Sequence, residues 1–466
     1  MSDETTRTER DSMGEMEVPA EAYYGASTQR AVLNFPISGQ RIPRQMIRAL
    51  GLLKWAAART NMELGRLDPG KGEAISQAAR EVADGRFDDE FVVDIFQTGS
   101  GTSSNMNANE VIANRAAEIL GSGRGARDVV HPNDHVNTGQ SSNDIIPTSI
   151  HLAALLAIQE QLEPGLERLR AALEEKAEAF WNTIKTGRTH LQDATPIRMG
   201  QVFRGYAGQL ERAQKRVERA KEELAEVALG GTAVGTGINT HPMFSRRVCE
   251  LVSQDTGLTL RETENHFQAQ ATLDSVVAAS GCLRTVAVSL LKIANDIRFL
   301  ASGPRTGLRE LTIPEVQPGS SIMPGKVNPV IAESLIQVAA QVLASDQAIV
   351  QAGEWSFFEL NTMLPLAAHN FVQSIDLLGA ASRNFADKCI AGTEITEHGP
   401  AMVERGLAIV TGLVPLIGYD KSAAIAHDAA KTGKSVREVA EEVTDLTAEQ
   451  LDAGLDPFKM TEPSGS

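Results

Sequence analysis

Cysteine is scarce and poorly placed for cross-linking. Cys249, Cys282 and Cys389 are odd in number, far apart and without a C-x-x-C spacing. A disulfide framework is therefore not expected, and reduced, buried thiols in a cytoplasmic protein are. Aromatic residues make up only 5% of the chain, while Ala and Leu abound, which disfavours an all-β fold and favours helix. Positive charge is also short: 44 Lys plus Arg face 60 Asp plus Glu, a net charge of −16. The long-range field has the wrong sign for nucleic acid or an anionic membrane, so neither is an expected partner. An anionic small molecule would need a pocket whose local groups outweigh that field. No run of about 18 apolar residues occurs, so no membrane span is expected. The start, MSDETTRTERDSM, lacks the apolar stretch of a signal peptide and reads as a short disordered tail.

What the chain does have is length and helical periodicity. A length of 466 residues leaves ample material for two or three subdomains. From Tyr206, apolar residues recur at Leu210, Ala213, Val217, Ala220, Leu224 and Val227, a helix expected to run until Gly230-Gly231. A second seam joins Leu283, Val286, Leu290, Ile293, Ile297 and Leu300 before Gly303-Pro304. A third runs through Leu155, Leu162, Leu166, Leu169, Leu173 and Phe180, with a kink expected at Pro164-Gly165. A fourth is Ile331, Leu335, Val338, Val342 and Ile349. Helices of roughly thirty residues span about 45 Å, more than a small domain can wrap, so association of several chains through a long-helix bundle is expected. The fold class is mainly α: an N-terminal domain over 1–140, a central long-helix bundle over 141–396 and a small helical C-terminal domain over 397–466.

Between these helices lie loops rich in Gly, Ser, Thr and Asn, where ligands bind on such a scaffold. The most informative is Gly319-Ser-Ser-Ile-Met-Pro-Gly-Lys326-Val-Asn328-Pro329. It is not a P-loop, because five residues separate Gly319 from Gly325 and Val327 follows Lys326. As pure structure, Asn328 would be an N-cap and Pro329 the first helical residue. That leaves Ser320, Ser321 and Lys326 beside a helix N-terminus, which favours anions. Gly99-Ser100-Gly101-Thr102-Ser-Ser-Asn105 and Ser141-Ser142-Asn143-Asp144 repeat the vocabulary of small hydroxyls and amides; each alone reads as a turn and cap, but together they offer donors for carboxylates held without a metal. Gly187-Arg-Thr189-His190-Leu-Gln-Asp193 places one imidazole in a loop, either a solvated residue or a proton carrier. His131 and His135 lie four apart with Pro132 between and no further ligand cluster, a poor zinc pattern. Gly230-Gly-Thr-Ala-Val-Gly235-Thr-Gly237 follows a helix rather than a strand, so it is a helix stop and turn rather than a dinucleotide loop.

These segments resemble the fumarase/aspartase superfamily over nearly the whole chain, from Glu17-Val-Pro-Ala-Glu and Gly25-Ala-Ser-Thr-Gln-Arg30 to Gly418-Tyr419-Asp420-Lys421, with 319–329 as its signature. Aspartases typically read M-P-A-K and have Gln in place of His190; M-P-G-K and T-H-L-Q-D-A here are similar to class II fumarases. Gly139 departs from the Ser common in the family. The resemblance implies reversible hydration of fumarate to (S)-malate through a carbanion, the tricarboxylic acid cycle reaction, with no metal and no organic cofactor. It implies Ser320 as the base at C3, His190 acting on water or the leaving hydroxyl, and Glu333 orienting His190. The implied substrate-binding set is Ser100, Gly101, Thr102, Ser141, Ser142, Asn143, Thr189, Ser321, Lys326, Val327 and Asn328. A second dicarboxylate site would use His131, Pro132, Asn133 and Asp134. It also implies a homotetramer with each site built from several subunits. An ammonia lyase of the same fold, an inactive helical scaffold and an iron–sulfur hydratase are the alternatives.

Overall fold

The computed structural model describes residues 6–463. Among them are seventeen α-helices, while the strands occur only in two-stranded pairs, so the chain is mainly α as expected. It divides into two compact units. The first holds residues up to Pro164, Lys215–Ala287 and Ala340–Gly379; the second holds Gly165–Gln214, Val288–Ala339 and the chain from Ala380 onwards.

The start of the chain corrects the expectation of a disordered tail, of which residues 1–5 lie outside the described residues. β1 (Thr6–Asp11) pairs antiparallel with β2 (Gly14–Pro19) around Ser12-Met13. The Arg7 guanidinium donates to the carbonyls of Pro19, Ala20, Ala22 and Tyr24 at 2.7–3.0 Å. One side chain with five donors thus gathers a stretch too polar to announce itself by hydrophobicity. α1 (Ala26–Asn34) begins on the buried Glu110 carboxylate, which accepts the Gly25, Ser27 and Thr28 N–H groups at 2.9–3.0 Å. Those donors would otherwise be orphaned at a helix N-terminus.

α2 (Arg44–Glu63) and α3 (Pro69–Ala83) approach so closely at Gly51 that a Cβ there would sit 2.6 Å from the Ala83 nitrogen. α4 (Thr102–Ile119) precedes α5 (Ser142–Ala157), which passes through a single π turn, Ile158–Leu162, into α6 (Glu163–Ala179). The kink expected at Pro164 therefore falls one turn earlier. Pro164 has no N–H for the Glu160 carbonyl and its ring would crowd that oxygen, so the preceding turn widens.

β3 (Ile184–Thr189) and β4 (Gln192–Arg198) form a hairpin that leads into α7 (Met199–Leu224). α7 ends at Leu224, not at Gly230: β5 (Glu226–Val227) is extended and pairs in parallel with β6 (Arg261–Glu262), beyond α8 (Phe244–Thr256). Val227 stays fully buried, so its apolar match to the helical seam was real while its backbone was not helical. After the short α9 (His266–Ala271) come the long α10 (Asp274–Leu300), α11 (Val330–Gly353) and α12 (Leu364–Phe385). The second and third seams are wholly buried; in the fourth, Leu335, Val342 and Ile349 are buried and Ile331 and Val338 half-buried. A small C-terminal core gathers Leu413, Ile425, Val439 and Leu451.

Two helical stretches, Ser142–Ala179 and Asp274–Leu300, reach the length and mean hydropathy of a membrane span. The apolar window of the first is 78% buried within the protein, which marks a core helix; that of the second is 44% buried and is interrupted by Arg284 and Lys292. On α10, Val288 (51% exposed) and Phe299 (48%) face outward.

The π turn itself supports a test. Gly379 of α12 lies where a Cβ would meet the Gln161 carbonyl oxygen at 2.4 Å. Gly379→Val should lower stability by about 1–3 kcal/mol, the usual cost of overpacking, read as a drop in the thermal midpoint. An unchanged midpoint would contradict this packing.

Candidate active site

In the first unit, two hydroxyl-bearing loops come together. Gly101 adopts φ +71° and caps α4, and a Cβ on it would press on the Ile146 side chain of α5 at 2.9 Å. Left-handed backbone and close approach both require glycine there. Ser100 and Thr102 share a hydroxyl hydrogen bond of 2.7 Å. Ser141 caps α5: its hydroxyl accepts the Asn143 N–H at 3.2 Å while the Asp144 carboxylate accepts the Ser141 N–H at 2.9 Å. Gly139 has φ +73°, a left-handed conformation that glycine accepts without strain.

Of the residues that hold this loop, Lys54 was not singled out in the sequence. Asn105 of α4 donates to the Ser142 hydroxyl at 3.0 Å and to Asn137 Oδ1 at 3.3 Å. Lys54 of α2, fully buried, donates to Asn137 Oδ1 and Gln140 Oε1, each at 2.9 Å. Asp144 is fully buried as well; its second oxygen accepts the Gly230 and Thr232 N–H groups at 3.1 and 2.9 Å. The glycine-rich 230–237 turn is thus a wrapping for a carboxylate. Asn143 Nδ2 donates to the Ala233 carbonyl at 2.8 Å. Asn105, Asn133, Ser141, Ser142 and Thr232 line a cavity of about 390 Å³. The available signals were a lone Lys54 inside the apolar run 49–58 and the Asn-rich face of α4.

His131 and Asn133 open onto a second cavity of about 650 Å³ that also carries Arg10 and Arg127. His131 Nδ1 accepts the Asn133 and Asp134 N–H groups at 3.2 and 3.1 Å, and burial followed by the nearby Arg127 holds its pKa below the ordinary value. Pro132 is buried, and Asp134 is exposed and off that wall. His135 turns its Nδ1 to the His131 backbone N–H at 2.8 Å, so the two rings do not converge on a common point.

In the second unit, the β3–β4 hairpin presents His190 and Leu191 at its two-residue tip, with φ of 55° and 61°. Non-glycine residues at such angles store of order 1 kcal/mol or more each, and such strain concentrates at functional positions. The hairpin's base resists distortion. Buried Glu310 accepts from Arg188 at 2.7 Å, and its other oxygen lies 3.1 Å from the Lys185 ammonium. Gly187 makes a bulge in β3, where a Cβ would strike the Thr195 carbonyl at 2.6 Å.

The signature segment is a closed loop. The Gly319 N–H donates to the Lys326 carbonyl at 2.9 Å, and Asn328 Nδ2 donates to the Gly319 carbonyl at 2.7 Å. Asn328 is therefore not the N-cap expected of it. Its amide closes the loop, the Pro329 carbonyl accepts the Glu333 N–H at 3.0 Å, and α11 starts at Val330. The Ser320 hydroxyl accepts the Ile322 and Met323 N–H groups at 3.2 and 3.0 Å. Ser321, Lys326 and the apolar Ile322 are exposed, and Val327 is half-buried.

The placement is thus divided. Ser100–Asn143 of the expected set and the 131–134 group belong to the first unit, and Thr189, His190 and Ser320–Glu333 to the second. Among the described residues, no hydrogen bond or ion pair within the chain joins His190 to Glu333 or to Ser320.

Residues 14–344 match the family model described as "Lyase", and residues 409–462 match "Fumarase C C-terminus". The chain is 56% identical to the class II fumarate hydratase of Halobacterium salinarum, covering 98% of this chain and 97% of that one. It is 50% identical to the class II fumarate hydratase of Rhizobium meliloti, over 99% and 100%. The crystal structure of the class II fumarase from Schistosoma mansoni superposes with a TM-score of 0.96 at 40% identity, covering 99% of this chain and 100% of that one. The chain therefore belongs to the lyase family. Its place within that family is among the class II fumarate hydratases.

The hairpin anchor is open to direct test. Glu310→Gln removes the anion from between Lys185 and Arg188, and breaking a buried pair of this kind costs about 3–5 kcal/mol. Denaturant unfolding should show that loss together with reduced turnover; native stability and native turnover would contradict the anchor.

Proposed function

We propose that the chain hydrates fumarate reversibly to (S)-malate as a homotetramer, with no metal or organic cofactor taking part. The observation that carries the mechanism is the Ser320 hydroxyl, which accepts two backbone N–H groups inside a closed loop. A serine is a poor base unless its alkoxide is stabilised, and two preorganised N–H donors supply that stabilisation.

In the malate-to-fumarate direction Ser320 takes the C3 proton, and the electron pair left on C3 delocalises into the adjacent carboxylate. Lys326, Asn328 and the N-terminus of α11 face that developing charge, assisted by Ser321 and the Val327 backbone. Thr102, Ser142, Asn143 and Thr189, with Ser100, Gly101 and Ser141 beside them, hold the carboxylates. His190 delivers a proton to the C2 hydroxyl as it leaves as water, with Glu333 orienting the ring. In hydration the same groups run in reverse, His190 removing a proton from the attacking water. His131, Pro132, Asn133 and Asp134 form a second dicarboxylate site that binds without catalysing.

The tetramer reading rests on helices too long for one small domain to wrap and on the face of α10 where Val288 and Phe299 stand exposed. Packing α10 against copies of itself would cover that face and let loops of different subunits complete each site. We also carry the division into 1–140, 141–396 and 397–466 as our reading of the domains. A cytoplasmic location is supported by Cys249, Cys282 and Cys389, which are free thiols, odd in number and without a C-x-x-C spacing.

Ser320→Ala should lower kcat at least about a hundredfold, the scale of lost general-base catalysis, while malate still binds by calorimetry. Native turnover in that variant would remove Ser320 from the base role. His190→Asn should lower hydration and flatten the pH–rate profile; a profile identical to the native one would remove His190. Dialysis against EDTA should leave turnover intact, and inactivation reversed by a divalent ion would bring a metal back in.

A further inference from the structure

Lys54 is a cation at the centre of an apolar helix. Its neighbours Leu52, Leu53, Ala56 and Ala57 are buried with it, and it has no accessible surface of its own. Isolated ammonium groups are costly to bury, and this one meets two neutral amides, Asn137 and Gln140. Asn137 Oδ1 also accepts from Asn105 and Asn109, at 3.3 Å each, and Asn105 donates onward to the Ser142 hydroxyl. The carbonyl oxygens of Asn105 and Asn109 are buried without a hydrogen-bond partner among the described residues. A buried polar network left partly unsatisfied costs stability, so stability is a poor reason for its existence.

We propose that Lys54 is a positioning residue for substrate binding, fixing the Ser142 hydroxyl through Asn137 and Asn105 and placing a buried positive charge behind the carboxylate-binding loop. This deepens the fumarate-hydration reading and rests on it. Every contact in the path lies within the first unit, so it does not depend on assembly of the rest of the site. In a chain of net charge −16, a buried cation is screened far less than a surface one and attracts a dianion accordingly.

The charge on Lys54 is itself adjustable. Burial drives its pKa down to about 7, and the buried Asp144 of α5 opposes that shift. The 137–140 segment brings it two neutral amides, Asn105 and Asn109 of α4 bond to Asn137 behind them, and among the helices packed on α2 the charge that acts on it is Asp144 of α5. The sign follows: below about pH 7 Lys54 is charged and favours the dianion, and as pH rises through that value the favour is lost. KM should therefore rise with pH in the native enzyme.

The test uses the full-length chain, with fumarate for turnover and succinate, a non-reacting dicarboxylate, for calorimetric binding between pH 6 and pH 9. Lys54→Met should weaken succinate binding and raise KM by roughly tenfold at the acid end, the scale of one charge-assisted hydrogen bond, with kcat falling less than KM rises. It should also abolish the native pH dependence of succinate affinity, which a merely structural residue would not do. Native affinity with native pH dependence in that variant overturns the proposal, as does a kcat loss at unchanged KM. If Lys54→Met does not fold, Asn105→Ala keeps the lysine and cuts its path to Ser142; it must weaken succinate binding in the same sense, and native affinity there overturns the proposal. Failure of the native chain to turn over fumarate would count against the reaction, whereas succinate binding would still read the role of Lys54.

Discussion

The carboxylate of Asp144 ties together stretches of chain that are remote in sequence. One oxygen closes the cap of α5 on Ser141, and the other takes the N–H groups of Gly230 and Thr232 from a turn nearly ninety residues away. Burial pushes its pKa up and the three N–H groups pull it back, with Lys54 adding a smaller lowering influence. The orientation of Ser141, Ser142 and Asn143 depends on this arrangement, because all three sit on the first turn it caps. A buried carboxylate is tolerable when backbone donors surround it, and here those donors also shape a loop that would otherwise be a free glycine-rich connector.

A second constraint runs through the other half of the machinery. His190 and Leu191 stay at left-handed angles because the strands below them are pinned by Lys185, Glu310 and Arg188, and strain at a tip survives only when its base is rigid. The signature loop uses a third device, cross-bonding Gly319 to Lys326 and Asn328, which leaves Ser320 facing two N–H groups. Around Asp144 and in the signature loop amide donors set the local electrostatics, whereas at the hairpin base two cations on one buried carboxylate do.

Much of this was legible in the sequence, and what was missed has physical causes. The four apolar seams were readable because burial imposes periodicity, yet Val227 fitted the seam while sitting in a strand pair: periodicity reports burial, not backbone angle. The hairpin at Thr6–Pro19 was invisible to a hydrophobicity argument because its strands are mostly polar, with Val18 the one fully buried apolar side chain, and Arg7 ties the stretch that follows to it. Pro164 signalled an irregular helix, but the disturbance falls on the turn preceding a proline. The hydroxyl loops, Asn105 and Asn137 among them, stood out by composition, whereas Lys54 did not, because its role arises from pairing across elements far apart in the chain.

As one of the class II fumarate hydratases, the chain hydrates a dicarboxylate double bond instead of releasing ammonia. The most direct measurement is the ultraviolet absorbance of fumarate formed by the purified native chain from malate, with aspartate offered in parallel at the same concentration. Rapid fumarate formation from malate and none from aspartate is the predicted result; release of fumarate from aspartate with malate inert would contradict it.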